Sequence, residues 1–583
     1  MLGLCVAILA GHVHLPLLVA AWSIADHGWI HVAPTRQAVN GHAERRVLVD
    51  EHGREMLFRG VNLCLQQWRP AGEDRPIDPA VYERGLCPSN HPDRYRNAPI
   101  CERDAGRGKF AQSTAPNSGN DLAQIRQLGF DVVRLGISWS FLEPSPGHYS
   151  STYLDRIAQV VAWAKEQDVR VILDMHEDFY SFSLNNGSRI GSYADGAPAW
   201  AVPNATISHF PRIKRWIYEK VGWDWHTAAA FESFFENEVL PGALWGLQEH
   251  YIRTVAQVAE RFRDEVAVLG FEVMNEPPPS TFNLFGWPDE DLYPFYRRVI
   301  QAVTGVRDGF PSCPSDNAVQ KHCAFPDLYV HDTKHIIFVE PMALRNQLDR
   351  DIGIDLKSFT SYDNVVFSPH TYSFSFTLDL FKHSIVSSYA QSLDTAWATA
   401  EKLKAGVFVT EFGSPTDHLD RLANILEQQD AHLTSSTFWT WKESGGGWGL
   451  WEGDEGTPQM QLQAERAKLL SRTRPLAVSG NLLAFAFSPT TGRFTMQATT
   501  PQDQVVSTLV YLSSHWAPHV SLHEVNATGA SITGLHRAPD GSATLELQPL
   551  QEGPGAVYSV VVEPHVSIEA WEGSVKSNAA FLI

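Results

Sequence analysis

Residues 268–277 read VLGFEVMNEP, an almost unbroken apolar run that stops on an amide, a carboxylate and a proline. A strand apolar along its whole length is covered on both faces, as the strands of a parallel sheet are. Seven further runs share this texture: LFRGVNL (57–63), FDVVRLGI (130–137), VRVILDMH (169–176), HIIFVEP (335–341), NVVFSPHTY (364–372), GVFVTEFG (406–413) and STFWTWK (436–442). Amphipathic stretches separate them, among them the predicted helices Tyr153–Gln167, Tyr251–Phe262, Leu292–Val306 and His418–Gln429. Eight strands alternating with helices predict an α/β fold, a (β/α)8 TIM barrel with enlarged loops over residues 45–470.

From about Pro475 the texture changes. Short alternating segments (LAFAFSP, GRFTMQAT, VVSTLVYL, ATLELQPL, AVYSVVVEP) follow one another between turns. They predict a C-terminal antiparallel β-sandwich over residues 475–583, and no cluster of titratable groups in it suggests chemistry.

With 583 residues and 44% hydrophobic content the chain can bury a large core, which excludes disorder. A formal charge of −20 excludes an electrostatic nucleic-acid binder and argues against a polybasic membrane anchor. Eighteen tryptophans suit a site for sugars or lipids, although large cores use such rings too.

The opening apolar run has no Lys or Arg before Arg36 and is interrupted by His12, His14 and Pro16. Small residues at Ser23 and Ala25 predict a signal peptide over residues 1–25; a signal anchor or an ordinary extension are the alternatives. Cys87 and Cys101 share one loop and Cys313 and Cys323 another, so two short-range disulfides are expected, with Cys64 left as a small buried hydrophobe. Free thiols throughout are the alternative. Sequons at Asn186, Asn204 and Asn526 agree with a secreted or lysosomal glycoprotein.

Polar groups collect at the C-terminal strand ends, where a TIM barrel places its active site. They are Asn62, Arg134, His176, Asp178, Asn275, Glu276, Glu340, His370, Tyr372, Glu411, Trp439 and Trp441. Glu276 ends the fourth strand and Glu411 the seventh, nearly across the mouth from each other. Two carboxyls facing over a cleft are the minimum for glycoside hydrolysis, and their separation distinguishes the retaining from the inverting course. The insertion from Phe179 to Trp245 is rich in aromatics. It reads either as a satellite hydrophobic cluster or as an apolar groove beside the site.

The order RLGISW, DMHEDFYS, GAPAW, MNEP, SPHTY, TEFG and FWTWK resembles glycoside hydrolase family 5, and within it the endoglycoceramidases and their related glycosylceramidases. DMHEDFYS followed by GAPAW carries the subgroup likeness, and RPLAVSGNLLAFAFSPTTGRF extends it into the C-terminal domain. The resemblance implies a retaining β-glycosidase that cleaves between the reducing-end glucose and ceramide of a glycosphingolipid, at a membrane or micelle surface and as a monomer. It implies Glu276 as acid/base and Glu411 as nucleophile. Asn275 would bind the sugar 2-hydroxyl, and Arg134 and Tyr372 would hold the nucleophile. His176 and His370 become subsite walls, Asp178 a ligand for sugar hydroxyls, and Trp441 the platform under the sugar, with Trp439 in reserve. No cofactor and no metal is implied. Alternatives are a β-glucosidase of glucosylceramide or steryl glucoside, a β-glucanase, or a non-catalytic glycolipid-binding protein. One departure is LCLQQWRP (63–70), where endoglycoceramidases tend to carry a lysine for the glycan.

Overall fold

The computed structural model describes residues 23–35, 45–64 and 121–565, less 182, 185–195, 204–224, 280–285, 310, 314–322, 326, 349–358, 373–387, 416–417, 444–446, 453–460, 502–504 and 551–554. The Cys87–Cys101 pairing, the glutamines and Trp68 of 65–70, and the sequons at Asn186 and Asn204 lie outside these residues, as does the side chain of Cys64.

Eight parallel strands close on themselves: β1 Arg59–Cys64, β2 Val132–Ile137, β3 Arg170–Met175, β4 Val268–Glu272, β5 Ile336–Val339, β6 Val365–Phe367, β7 Gly406–Phe412 and β8 Ser435–Phe438. Each pairs with its sequence neighbour, and β8 returns to β1 through Ser436 opposite Arg59. The predicted helices are present as Ser151–Glu166, Leu247–Phe262, Tyr293–Thr304 and Leu419–Ala431. The first starts where Ser150 accepts the Tyr153 N–H at 3.1 Å. Among the described residues no helix is long and apolar enough to cross a membrane.

Strand periodicity sorts the core. Val133, Leu135, Val171, Leu173, Ile337 and Val339 point outward and pack under the helices. Their neighbours Val132, Ile172, Ile336, Phe338, Val366 and Phe408 point inward and fill the barrel floor. Two residues further up the same columns, Val132 gives way to Arg134, Ile172 to Asp174, and Phe338 to Glu340. The barrel is therefore apolar below and charged above.

The C-terminal strands are β9 Arg474–Val478, β10 Leu482–Phe487, β11 Phe494–Thr499, β12 Thr508–Leu512, β13 Val525–Thr528, β14 Ala530–Arg537, β15 Ala543–Pro549 and β16 Val557–Val562. They form two antiparallel sheets, β9-β12-β15-β14 and β10-β11-β16-β13, around a core of Phe485, Phe494, Met496, Val510, Leu545 and Val560. Strand β9 also pairs with residues 55–56, so this sheet continues into the barrel floor. Buried ion pairs reinforce the join: Arg474 donates to Asp131 at 2.6 Å, and Arg472 and Arg59 both contact Asp430.

Residue 25, the expected end of the signal peptide, falls within a short packed helix. Ser23 caps a short helix, Ile24–His27, through a capping box, and the Ile24 N–H donates to Asp168 at 3.0 Å. His27 is buried against Asp50 at 3.0 Å.

Candidate active site

Arg134 stands at the centre of the charged layer, fully buried. Its guanidinium meets four carboxylates: Glu272, Asp174 at 3.1 Å, Glu340 at 3.1 Å and Glu411 at 2.6 Å. It also donates to Asn62 at 3.1 Å and Asn275 at 2.9 Å. A planar donor fork can hold that many acceptors, whereas an ammonium could not. Their charge raises the Arg134 pKa despite burial, so the cation is permanent.

Glu411 ends β7 with its side chain 8% exposed. Arg134 holds its Oε1, and Tyr372 donates to Oε2 at 2.7 Å. Glu276 follows β4 and its side chain is 35% exposed, so it faces the mouth. One oxygen of Glu276 lies within 4.8 Å of one oxygen of Glu411. That spacing fits the retaining arrangement of about 5–5.5 Å and is too short for an inverting water, which needs about 6.5–9.5 Å.

His370 bridges the pair. Its Nδ1 lies 2.8 Å from Glu276 Oε1 and 3.4 Å from Glu411 Oε2, while its Nε2 lies 3.1 Å from Glu340 Oε1. Asn346 donates to Glu276 at 3.1 Å, and the Glu276 N–H donates to Glu340 Oε2 at 3.0 Å. Asn275 donates to the Glu177 carbonyl at 2.9 Å, so both ends of its amide are engaged. His176 is fixed by Asp174 at 2.6 Å, and Asp178 approaches its other nitrogen at 3.6 Å with 36% of its own side chain exposed.

The two tryptophans differ in exposure. Trp441 is 1% exposed and packs edge-on against Trp451, so it offers no face to a sugar. Trp439 is half-buried and stacks on His176 with planes 10° apart. The β8 strand ends at Phe438, so both residues lie beyond it and their exposure is set by the following turn. Asp174, Glu272 and Asn346 were not among the sequence-derived rim residues, and Glu340 was placed on the rim without a role. Asp174 and Glu340 lie in inward columns with His176 and Phe338, and that register is the signal that reveals them.

The titrations follow from this wiring. Burial pushes Glu411 up; His370 and Arg134 pull it back and Glu276 pushes again, leaving it above the ordinary carboxylate value. Burial also pushes Glu276 up, but its hydrogen bond and charge contact with His370, helped by Asn346, bring it below that value. His370 loses by burial and gains more from Glu340 and Glu411, so it remains an imidazolium. His176 does the same through Asp174. Glu340 is pushed by burial up to about 8.

Among the described residues, two groupings bring metal-ligand atoms together: Glu272, Glu340 and His370, and Glu276, His370 and Glu411. Arg134 contacts Glu272, Glu340 and Glu411, so these carboxylates are engaged in ion pairs with one shared cation.

Half of the aromatic insertion is now located. Phe231, Phe234 and Phe235 are 1% exposed and pack edge-to-face against Tyr180, Trp139, Tyr251, Phe295 and Trp287. These rings are core, which corrects the groove reading for them; Phe210, Trp216, Tyr218 and Trp223 lie outside the described residues.

Comparison with known families adds the chemistry's ancestry. The family model described as cellulase (glycosyl hydrolase family 5) matches residues 105–445, more than half of the chain. The chain belongs to glycoside hydrolase family 5. A family 5 C-terminal domain model matches residues 472–562, the sandwich. An endoglycoceramidase of Cyanea nozakii is 22% identical over 511 residues, 82% of this chain and 84% of the relative. Among solved structures, an endogalactoceramidase superposes with a TM-score of 0.61 at 23% identity, covering 88% of this chain and 98% of that one. The ganglioside GM3 complex of endo-glycoceramidase II from Rhodococcus sp. gives 0.59 at 21% identity, covering 90% and 100%. This family 5 member thus has the glycosidase barrel and its appended sandwich together.

Proposed function

We propose that this family 5 glycoside hydrolase is a retaining β-glycosidase of glycosphingolipids, cleaving between the reducing-end glucose and ceramide. The observation that carries it is the Glu276–Glu411 spacing within 4.8 Å, which fits direct attack by one carboxylate on a carbon whose leaving oxygen the other protonates. Likeness to endoglycoceramidases over most of both chains supports the substrate class.

Glu411 is the better-shielded group and is oriented by Arg134 and Tyr372, which suits attack on the anomeric carbon. Glu276, nearer the mouth, is placed to protonate the departing ceramide oxygen. In the second step water enters, Glu276 takes its proton, and the glycosyl–Glu411 ester is hydrolysed with configuration retained. Trp439, with one face on His176, replaces Trp441 as the platform for the sugar.

A secreted or lysosomal location belongs to the same proposal. The Cys313–Cys323 disulfide supports an oxidising compartment, and the Asn526 sequon is exposed on strand β13. Action as a monomer at a membrane or micelle surface is part of it too. The test is product analysis. Release of intact oligosaccharide from a ganglioside, first formed as the β-anomer and lost in both Glu411→Ala and Glu276→Ala, is the expected result. Release of glucose from glucosylceramide alone would favour the short-glycan reading, which the missing lysine in 63–70 supports. No hydrolysis of any glycolipid by the wild type would overturn the substrate assignment.

A further inference from the structure

Glu276 has two carboxyl oxygens, and its surroundings treat them differently. Oε1 accepts the Asn346 amide at 3.1 Å and lies 2.8 Å from His370 Nδ1. Among the described residues no donor reaches Oε2, and the side chain is 35% exposed toward the mouth. A carboxyl with one oxygen occupied by two donors carries its own proton on the other.

The amide that makes this distinction is itself held. Asn346 lies on the short helix Ala343–Leu348 after β5 and is 3% exposed. Its Oδ1 accepts the His370 backbone N–H at 3.1 Å, so its NH2 group must face Glu276. The same segment grips the main chain of the acid at two points. Glu340 Oε2 accepts the Glu276 N–H at 3.0 Å, and the Ala343 N–H donates to the Pro277 carbonyl at 3.0 Å. Glu276 has φ +38°, a left-handed conformation that a side-chain-bearing residue keeps only when its surroundings enforce it. Residues 340–346 thus fix both the backbone of the acid and one of its oxygens.

We propose that Asn346 is a positioning residue for the acid: together with His370 it occupies Oε1, so that Oε2 carries the proton given to the glycosidic oxygen. The step balances. The Oε2–H bond breaks as the O–H bond of the departing alcohol forms, and the electron pair of the C–O bond leaves with that oxygen. The Glu411 carboxylate supplies the pair for the new bond to carbon. In the second step the proton of the incoming water returns to Oε2.

The titratable groups facing this carboxyl come from several elements. His370 and Tyr372 follow β6, His176 follows β3, Glu411 ends β7 and Glu340 follows β5. Asn346 is neutral, so its removal takes away a hydrogen bond and no charge. Its donation favours the carboxylate form of Glu276, which suits the second step, when Glu276 acts as base.

This inference rests on the reading of Glu276 as the acid, and the experiment separates the two. The pH profile of kcat/KM is measured for the wild type, Asn346→Ala and Asn346→Asp with two β-glycosides. One has an alkyl leaving group and the other 2,4-dinitrophenolate, which departs without acid help. Asn346→Ala removes a donor to the carboxylate, so the alkaline limb for the alkyl glycoside should move up by about one pH unit. Its maximal kcat/KM should fall about 10-fold, because the acid is no longer held in place. Asn346→Asp keeps the acceptor for the His370 N–H but lets two carboxyls share a proton at Oε1, and the loss should reach about 10²-fold. The dinitrophenyl glycoside should lose less than about threefold in either variant, which also reports an intact fold. Equal losses on both glycosides, an unchanged alkyl rate, or an Asn346→Ala limb that stays or moves down would overturn the positioning role. A Glu276→Ala variant indifferent to leaving group would instead overturn the acid assignment.

Discussion

Tyr372 donates its hydroxyl to Glu411 Oε2 at 2.7 Å, on the side of the carboxylate opposite the Arg134 contact at 2.6 Å. Both oxygens are thereby fixed, and the attacking lone pair has one direction left. Burial, reinforced by the Glu411 charge, pushes the phenol well above its ordinary pKa, so it stays a donor at every working pH. Tyr372→Phe removes one hydrogen bond to a charged group, about 1.5–3 kcal/mol. The expected result is a kcat lowered roughly 10- to 100-fold, with KM changed far less, read by steady-state kinetics on an aryl β-glycoside.

The two tryptophans after β8 should separate cleanly. Trp439→Ala removes the ring that stacks on His176 and should lower kcat/KM by about 10²-fold while leaving the melting temperature near the wild-type value. Trp441→Ala empties a core position packed on Trp451 and should cost about 3–5 kcal/mol of stability. Kinetics and thermal denaturation on the same two variants check this. The opposite pattern would return the sugar platform to Trp441.

Arg474 ties the sandwich to the barrel floor. It is 1% exposed and donates to Asp131 at 2.6 Å and to the Leu57 carbonyl at 2.6 Å, while Asp131 also accepts the Arg59 N–H at 3.0 Å. Arg474→Met leaves the Asp131 carboxylate buried without its cation, a loss of about 3–5 kcal/mol. Adding Asp131→Asn removes the stranded charge and should recover part of the loss, a coupling that a double-mutant cycle in denaturant reads directly.

The barrel was legible because its strands are apolar on both faces, and the eight runs from 57–63 to 436–442 correspond to β1–β8. The charged ends of those runs also came together: Arg134, Asn275, Glu276, His370, Tyr372 and Glu411 form one connected set. Asp174 and Glu272 were hidden for a physical reason. Each sits inside an apolar run that reads as continuous core, and only the closed barrel turns its inward column toward Arg134. Trp439 and Trp441 both lie beyond Phe438, where β8 has ended, so the strand pattern does not say which of them faces the mouth. Phe231, Phe234 and Phe235 looked equally suited to a groove or a core, since composition does not report which side of a ring is covered.

Glu55 gives a pH dependence of stability with a definite sign. It is 6% exposed at the join of barrel and sandwich, and its Oε2 accepts the Leu482 N–H at 2.9 Å. Burial pushes its carboxyl up to about 7, against the pull of Arg45 and of that N–H, from an ordinary value of 4.5. Between those two values the folded chain retains a proton that the unfolded chain has released. The stabilisation from this site is therefore complete below pH 4.5 and is lost as pH rises through 7, at up to about 1.4 kcal/mol per pH unit. Glu340, raised by burial to about 8, contributes with the same sign over a wider window. Glu55→Gln can still accept the Leu482 N–H but has no proton to lose. Its unfolding free energy should fall less between pH 5 and pH 7 than that of the wild type, with Glu340 accounting for a residual decline. Denaturant titrations at the two pH values measure both differences, and an unchanged gap would mean that Glu55 is ionised in the folded protein.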